Sequence, residues 1–279
     1  MRVPLVSVCL ITYNHEEYIR KAIESVLMQE TSFDWEFIIA DDCSTDGTRA
    51  ILEEYKAMHP DLIRLILQEK NIGPAQNWLQ LITAPKSKYI AYFEGDDYWI
   101  DTQKLKKQVN FLEKNPTFSL CHSDVEVVDK QGNPILNHHL KVWNQKNNFL
   151  DYRFAIFTPL AFSCTAVFRN VLPVNRLSMR IKAGDWMQWV LLTLRGDAKF
   201  MNEKLSAYRS GSGISVSSVW HMDFHHRTFF LLRQLSLKNQ FNKNKWLFKG
   251  ALYFMLLQWS KVFKNRIFSK WATKIKYDI

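Results

Sequence analysis

The sequence predicts an α/β fold, a mostly parallel central sheet flanked by helices and followed by a basic amphipathic helical segment. Short runs rich in β-branched and aromatic residues alternate with stretches whose apolar residues recur at helical spacing, the alternation that builds parallel sheets. With 279 residues at 47% hydrophobic content, the chain can bury a substantial core. Charge is segregated: from Arg233 to Ile279 eleven Lys or Arg face one acid, Asp278, so this segment alone accounts for the net charge of +10.

The elements follow in order. Met1 to Ile11 reads as a first strand, because it has one basic residue and no small-residue cleavage site of the kind a leader needs. Tyr18, Ile19, Ala22, Ile23, Val26 and Leu27 form a helical face, with Glu16 and Glu17 at the start where the helix dipole favours acids. Trp35 to Ala40 is a second buried strand that ends on Asp41 and Asp42, and Ser44 and Thr45 are suited to cap the helix through Ile51, Leu52 and Tyr55. The run from Asp42 to Glu53 nearly fits a calcium-binding EF-hand loop, but it follows a strand where that motif needs a helix. Leu62 to Leu67 is a third strand, leading through Glu69 to Pro74 into a helix with Trp78 and Leu81, and Tyr89 to Phe93 is a fourth.

Beyond Trp99, Lys104 to Leu112 is an amphipathic helix that stops before Pro116. Phe118 to Cys121 and Val125 to Val128 read as two short strands, with a hairpin turn at Asp129 to Asn133. Residues 137 to 175 carry little pattern, and the His138-His139 pair in them reads as solvent-facing loop. Gly184 to Trp189 opens a helix with Trp186, Trp189, Val190 and Thr193 toward the core. Tyr208 to Ser215 reads as a flexible loop, either a linker or a lid that closes on phosphate. The longest uncharged run, Phe154 to Phe168, is broken by Pro159 and falls short of the ~20 residues a membrane span needs. Cys9, Cys43, Cys121 and Cys164 lack any C-x-x-C spacing, which argues against zinc, a redox pair or a disulfide framework and fits a reducing cytosol.

The chemistry concentrates at Asp96 and Asp97, which follow the fourth strand directly. They stand at a carboxyl end, where open α/β sheets bind ligands. Adjacent carboxylates repel, and a divalent cation such as Mg²⁺ or Mn²⁺, bridging to a diphosphate, would offset that charge. A solvated acidic turn is the alternative for a lone Asp-Asp.

Several pieces together carry a family resemblance: Val6-Ser7-Val8 through Thr12-Tyr13-Asn14, EFIIADDCSTDG at Glu36 to Gly47, Asn71-Ile72-Gly73, FEGDDYW at Phe93 to Trp99, Lys104-Leu105, and FLEKNP at Phe111 to Pro116. In this order and spacing they resemble the family 2 glycosyltransferases of the GT-A fold, inverting enzymes that use nucleotide-sugars. The resemblance implies that Thr12, Tyr13, Asn14 and Asn71 line the nucleotide, and that Asp42 binds the base, generally uracil. It places Asp96 near the ribose, Asp97 on a Mn²⁺ or Mg²⁺ that carries the diphosphate, Asp185 as general base, and Arg209 at the leaving diphosphate. Two positions depart from the family: Gly184 replaces one of a usual pair of acids, and Gly211 stands where a His commonly follows Tyr-Arg, with His221, His225 and His226 further on. The absence of Q-x-x-R-W points to transfer of a single sugar.

The expected organisation is a nucleotide-sugar-binding half over 1–130, an acceptor-binding half over 131–232 and a basic aromatic tail over 233–279. In the tail Trp259, Phe263, Ile267, Trp271 and Ile275 recur every fourth residue among Lys261, Lys264, Lys270 and Lys274. That pattern describes a helix lying on an anionic membrane surface through residues 245–279, and it would also suit a homo-oligomer interface. No nucleic-acid motif accompanies the charge. The expected enzyme is therefore a metal-dependent glycosyltransferase, cytoplasmic and peripheral to the inner face of the cell membrane. It would move one sugar from a UDP-sugar to a hydroxyl of a glycan or lipid-linked saccharide in cell-surface polysaccharide biosynthesis. The alternatives are a catalytically inactive binding or docking domain, and a nucleotidyltransferase, whose Gly-rich phosphate loop is missing from Thr12 to Glu17.

Overall fold

A computed structural model describes residues 3–135, 149–150, 155–156, 161–172, 184–212, 231, 244–262 and 266–277. Strands β1 (Val6–Thr12), β2 (Trp35–Asp41), β3 (Ile63–Leu67) and β4 (Tyr89–Glu94) are joined by helices α1 (Ile19–Leu27), α2 (Thr48–Met58) and α3 (Pro74–Thr83). They pair in parallel, β1 between β2 and β4, and β3 outside β2. The register sets Thr12 opposite Asp41 and Ile11 opposite Glu94, so the carboxyl ends of β1, β2 and β4 lie level.

Past β4 the sheet becomes mixed. β8 (Ala166–Arg169) runs antiparallel to β4, then come β6 (Phe118–Val128), β9 (Asp197–Arg209) and β5 (Tyr98–Trp99), with β7 (Phe149–Leu150) on β9. Among the described residues this is one nine-stranded sheet in the order β3-β2-β1-β4-β8-β6-β9-β5. α4 (Lys104–Lys114), α5 (Gly184–Thr193), α6 (Asn244–Val262) and α7 (Arg266–Tyr277) complete the described helices.

Side chains alternate between the faces of a strand, so β1 feeds two cores at once. Val8 and Leu10 pack with Ile23, Leu52, Leu105 and Val109 of α1, α2 and α4. Cys9 faces the other way, into Trp78, Leu81, Trp186, Trp189, Leu247 and Phe254 of α3, α5 and α6. Each such buried side chain contributes about 1.5–3 kcal/mol, and burial on both faces makes these strands read as unbroken apolar runs.

Four local expectations are corrected. The first turn of α1 holds no acid, since the helix begins at Ile19, and Glu16 instead accepts from the Gly47 N–H at 2.8 Å. Ser44 and Thr45 do not cap α2. The Ser44 hydroxyl donates to the buried Asp41 carboxylate, and Asp46 accepts from the Thr48 N–H at 3.0 Å near a Gly47 cap. Phe118 to Val128 is a single strand, because a register irregularity at Ser123 and Asp124 absorbs its polar interruption. The Asp129 to Asn133 turn does follow it, and among the described residues its far arm pairs back through the Val128 and Pro134 bridge and the Ile135 N–H to the Val127 carbonyl at 2.8 Å.

The fourth correction concerns the tail, whose evenly spaced stripe is divided between two helices. Leu247, Ala251 and Phe254 of α6 are buried in the second core, and Phe254 meets Trp186 edge-on, so this part serves packing. On α7, Trp271 is 57% exposed and Lys270 and Lys274 are exposed. Phe263, the side chains of Trp259, Ile267 and Ile275, and the pair His138-His139 lie outside the described residues.

Candidate active site

The level carboxyl ends of β1, β2 and β4, with the loop after β3, form a rim. At β1, Thr12 is 2% exposed and its hydroxyl is hydrogen-bonded to His15 Nδ1 at 3.1 Å, while Tyr13 projects outward. Asn14 takes φ +54°, a left-handed conformation that Asn tolerates better than most side chains. Its N–H donates to Ser44 Oγ at 2.9 Å and its Oδ1 accepts from the Thr45 N–H at 2.8 Å, which ties the β1 loop to the β2 loop. Buried Asp42 accepts from the Ile72 N–H at 2.8 Å, and Asn71 Oδ1 accepts from the Gly73 N–H at 3.1 Å, so the loop after β3 is folded onto the end of β2. Thr12, Tyr13, Asn14, Asp42 and Asn71 therefore share one rim.

Asp96 and Asp97 close the rim at β4. Gly95 makes the turn possible: a Cβ there would lie 2.8 Å from Thr12 Oγ1 and 2.9 Å from His15 Nδ1, inside contact distance. Both carboxylates are buried, 4% and 3% exposed. Asp97 Oδ1 accepts the Arg209 main-chain N–H at 2.9 Å, and its carboxyl group also meets the Cys164 thiol. Asp96 Oδ2 accepts from the Ser212 hydroxyl at 2.8 Å, while Asp96 Oδ1, equally buried, has no hydrogen-bond partner among the described residues. Neither acid enters an ion pair among those residues. Burial first, and the Asp96 charge second, hold the Asp97 carboxyl well above the usual carboxylate range.

These acids fit a divalent cation. The orphaned Asp96 oxygen and the uncompensated pair are what an oxygen-seeking ion would satisfy. Among the described residues no group of three His, Cys, Asp or Glu is placed to cage a metal. One or two carboxylates, with substrate phosphate and water for the rest, is the usual way Mg²⁺ is held.

Arg209 is placed differently from the expectation. It is the last residue of β9, opposite Val128, because pairing with β6 continues to that point; Tyr208 and Arg209 are strand and not flexible loop. The residue is 4% exposed: Nε donates to Asp96 O at 2.9 Å, and Nη1 to Asp129 O at 3.1 Å and Lys130 O at 2.6 Å. It lies 4.6 Å over the Tyr18 ring. From residue 213 onward the remainder of that loop, with His221, His225 and His226, lies outside the described residues. Asp185 is in the first turn of α5, and its side chain lies outside the described residues too.

Three residues of this region escape sequence reasoning. His15 sits against Thr12 and Gly95; burial holds its imidazole below the ordinary value, against the opposing pull of Asp96 and Asp46. Its place directly after Thr12-Tyr13-Asn14 was the available signal. Lys104 is fully buried, bonded to Gln108 and to Thr165 O, and burial brings its pKa down to about 7. Its i,i+4 spacing to Gln108 beside Leu105 and Val109 was the signal there. Cys164, held by Ser206 through its carbonyl at 2.6 Å, had none.

Comparison with known proteins gives concordant results. The model for Glycosyl transferase family 2 matches residues 7–172. An uncharacterized protein of Mycobacterium tuberculosis is 32% identical over 224 residues, 80% of this chain and 63% of that protein, so the chain spans under two thirds of that relative's length. TuaG of Bacillus subtilis, named as a teichuronic acid biosynthesis glycosyltransferase, is 30% identical over 249 residues, 88% of this chain and 93% of its own. Staphylococcus aureus TarS (1–349), crystallised with UDP, matches with a TM-score of 0.68 at 17% identity over 94% of this chain and 73% of that one. The mannosyltransferase PcManGT of Pyrobaculum calidifontis, in complex with GDP-Man and Mn²⁺, matches with a TM-score of 0.60 at 16% identity over 99% and 85%. At these identities the structural likeness is one of fold, the GT-A fold.

Proposed function

Because the chain belongs to glycosyl transferase family 2, we propose that it is an inverting, metal-dependent glycosyltransferase that moves one sugar from a UDP-sugar to a hydroxyl of a glycan or lipid-linked saccharide. The observation that carries this is the buried pair Asp96 and Asp97 at the end of β4, in no ion pair among the described residues and with one Asp96 oxygen unpartnered, level with the rim of Thr12, Asn14, Asp42 and Asn71. Bound UDP in TarS and bound Mn²⁺ in the mannosyltransferase support the donor and the metal by analogy.

In this reading Asp42 faces the base, Thr12, Tyr13 and Asn14 lie along the nucleotide, and Asp96 meets the ribose. Asp97 would hold Mn²⁺ or Mg²⁺, which when bound would offset the charge of the leaving diphosphate. Arg209 adds fixed positive charge beside the two acids. Asp185 takes the proton of the acceptor hydroxyl as its oxygen attacks the anomeric carbon from the face opposite the diphosphate. The carbon–oxygen bond to the diphosphate breaks with its electron pair, which inverts the centre. Residues 1–130 would bind the donor, 131–232 the acceptor, and 233–279 would anchor the enzyme.

Among the described residues no helix is long and apolar enough to cross a membrane. Exposed Trp271 beside Lys270 and Lys274 supports a peripheral site at the inner face of the cell membrane, where lipid-linked acceptors of cell-surface polysaccharide would be met. Liposome flotation with and without residues 266–279 separates this from self-association through the same face. The rival reading, a domain that binds a nucleotide-sugar without transfer, is favoured by Gly184 and Gly211. The deciding experiment is metal-dependent turnover of a panel of UDP-, GDP- and dTDP-sugars by wild type and Asp97→Asn. Turnover of one UDP-sugar that Asp97→Asn abolishes is expected; turnover indifferent to metal and to Asp97 would overturn the reading.

A further inference from the structure

Arg209 touches two places. Its main-chain N–H is on Asp97, while its side chain helps line a separate cleft of about 350 Å³ with Glu17, Tyr18, Lys21, Lys130 and Gln131. Three cations and one acid thus face a single concavity. Several basic side chains elsewhere are matched by acids: Arg20 with Glu54, Arg49 with Asp41, Lys88 with Glu113, Lys107 with Asp101 and Glu203, Lys204 with Glu126. Lys21 and Lys130 enter none of these pairs. Aromatic faces hold the charges instead: Lys21 Nζ is 3.7 Å from the Tyr98 ring centroid, and the Arg209 guanidinium is 4.6 Å from that of Tyr18 and 5.6 Å from that of Tyr98. A tyrosine ring attracts a cation without neutralising it, so the positive charge stays available.

The donors also converge. Gly132, at φ +91°, carries no side chain at the edge of the cleft, and a Cβ there would sit 3.7 Å from Arg209 Nη1, 3.7 Å from Lys21 Nζ and 4.0 Å from the Tyr98 hydroxyl. Lys21 Nζ and the Arg209 guanidinium therefore come together beside Gly132; Arg209 Nη1 is already bonded to the Asp129 and Lys130 carbonyls, so Lys21 offers the hydrogen bonds to an oxyanion in the cleft and Arg209 adds charge. Cations gathered this closely repel one another, and an anion between them relieves the repulsion.

We propose that this cleft is an oxyanion subsite, taking a phosphate or carboxylate group separate from the diphosphate at Asp97. Anion binding itself is independent of the glycosyltransferase reading; assigning the anion to a substrate rests on it. The test is calorimetric titration of metal-free protein with inorganic phosphate at low ionic strength. Wild type should bind phosphate. Lys21→Met, at an exposed position that leaves the core untouched, should weaken it by about tenfold, the loss of one charge-assisted hydrogen bond. Lys21→Met/Lys130→Met should weaken it further, and Asp97→Asn should retain it even where UDP-sugar binding is lost. If Lys21→Met also weakens a UDP-hexuronate but not the matching UDP-hexose, the oxyanion is the donor's carboxylate; if it weakens phosphate alone, the subsite takes phosphate. Absence of phosphate binding to wild type, or binding unchanged in both lysine variants, overturns the proposal.

Discussion

Two strands of one sheet carry the same dipeptide at or just past their carboxyl ends, and the protein treats the two pairs in opposite ways. At the end of β2, fully buried Asp41 is neutralised by Arg49, whose Nη2 lies 2.9 Å away, and takes the Ser44 hydroxyl as well, while Asp42 accepts a main-chain N–H. At the end of β4, Asp96 and Asp97 are as deeply buried but receive a main-chain N–H, a thiol and a hydroxyl, and no basic side chain pairs with them among the described residues. The Arg209 guanidinium beside them gives its Nε–H to the Asp96 main-chain carbonyl and not to either carboxylate. Identical side chains become a structural brace in one place and an uncompensated charge in the other; the difference lies in who faces them. A pair left short of positive charge has an affinity to spend on a ligand.

The sharpest way to break the comparison is to exchange the roles by mutation. Asp97→Asn should lower sugar-nucleotide turnover by about a hundredfold or more, the usual scale for losing an electrostatic stabiliser of the leaving group. The apo protein should keep its melting temperature or gain, because a buried carboxylate is removed. Asp41→Asn should do the reverse: it leaves Arg49 without its counter-charge and should cost about 3 kcal/mol, the lower end for a broken buried pair since Arg49 is itself 32% exposed. Denaturant melts read this directly, and a loss below 1 kcal/mol would erase the distinction between the two pairs.

Next in size is a pH effect at the cation that β4 does not use. Burial lowers the pKa of Lys104 from 10.5 to about 7. Between those values the unfolded chain binds the proton that the folded chain has shed, so stability should rise as pH climbs from 7 toward 10.5 and fall as pH drops toward 7. The difference in melting temperature between wild type and Lys104→Met should shrink as pH rises across that window; a constant difference would show that the lysine is not desolvated. The smallest expected effect is Gly95→Ala. Its methyl group would press on Thr12 Oγ1 and His15 Nδ1 and cost about 1–3 kcal/mol by overpacking, with a higher KM for the donor as the rim shifts.

How much of this was legible follows from where each contact comes from. The strands β1 to β4 and the acids after β2 and β4 were readable because a buried parallel strand announces itself in its own five to seven residues. Asp41 and Asp96 could not be told apart, since Arg49 and Ser212 reach them only in the folded chain. Ser44 looked like a helix cap and was claimed by Asp41, a stronger acceptor. Arg209 read as loop because strand pairing with Val128 is invisible in the local pattern Tyr208-Arg209-Ser210-Gly211. In the tail, the spacing from Trp259 to Ile275 suggested one helix. The burial of Leu247 and Phe254 against Trp186 shows instead that much of its apolar content belongs to the interior.

One contact bears on how this molecule can change over generations. The group that steadies Asp97 from β9 is the amide of residue 209, which every amino acid but proline carries. Replacement of the Arg209 side chain would remove its charge and its carbonyl bonds, while that hold on Asp97 would pass unaltered from one sequence to the next.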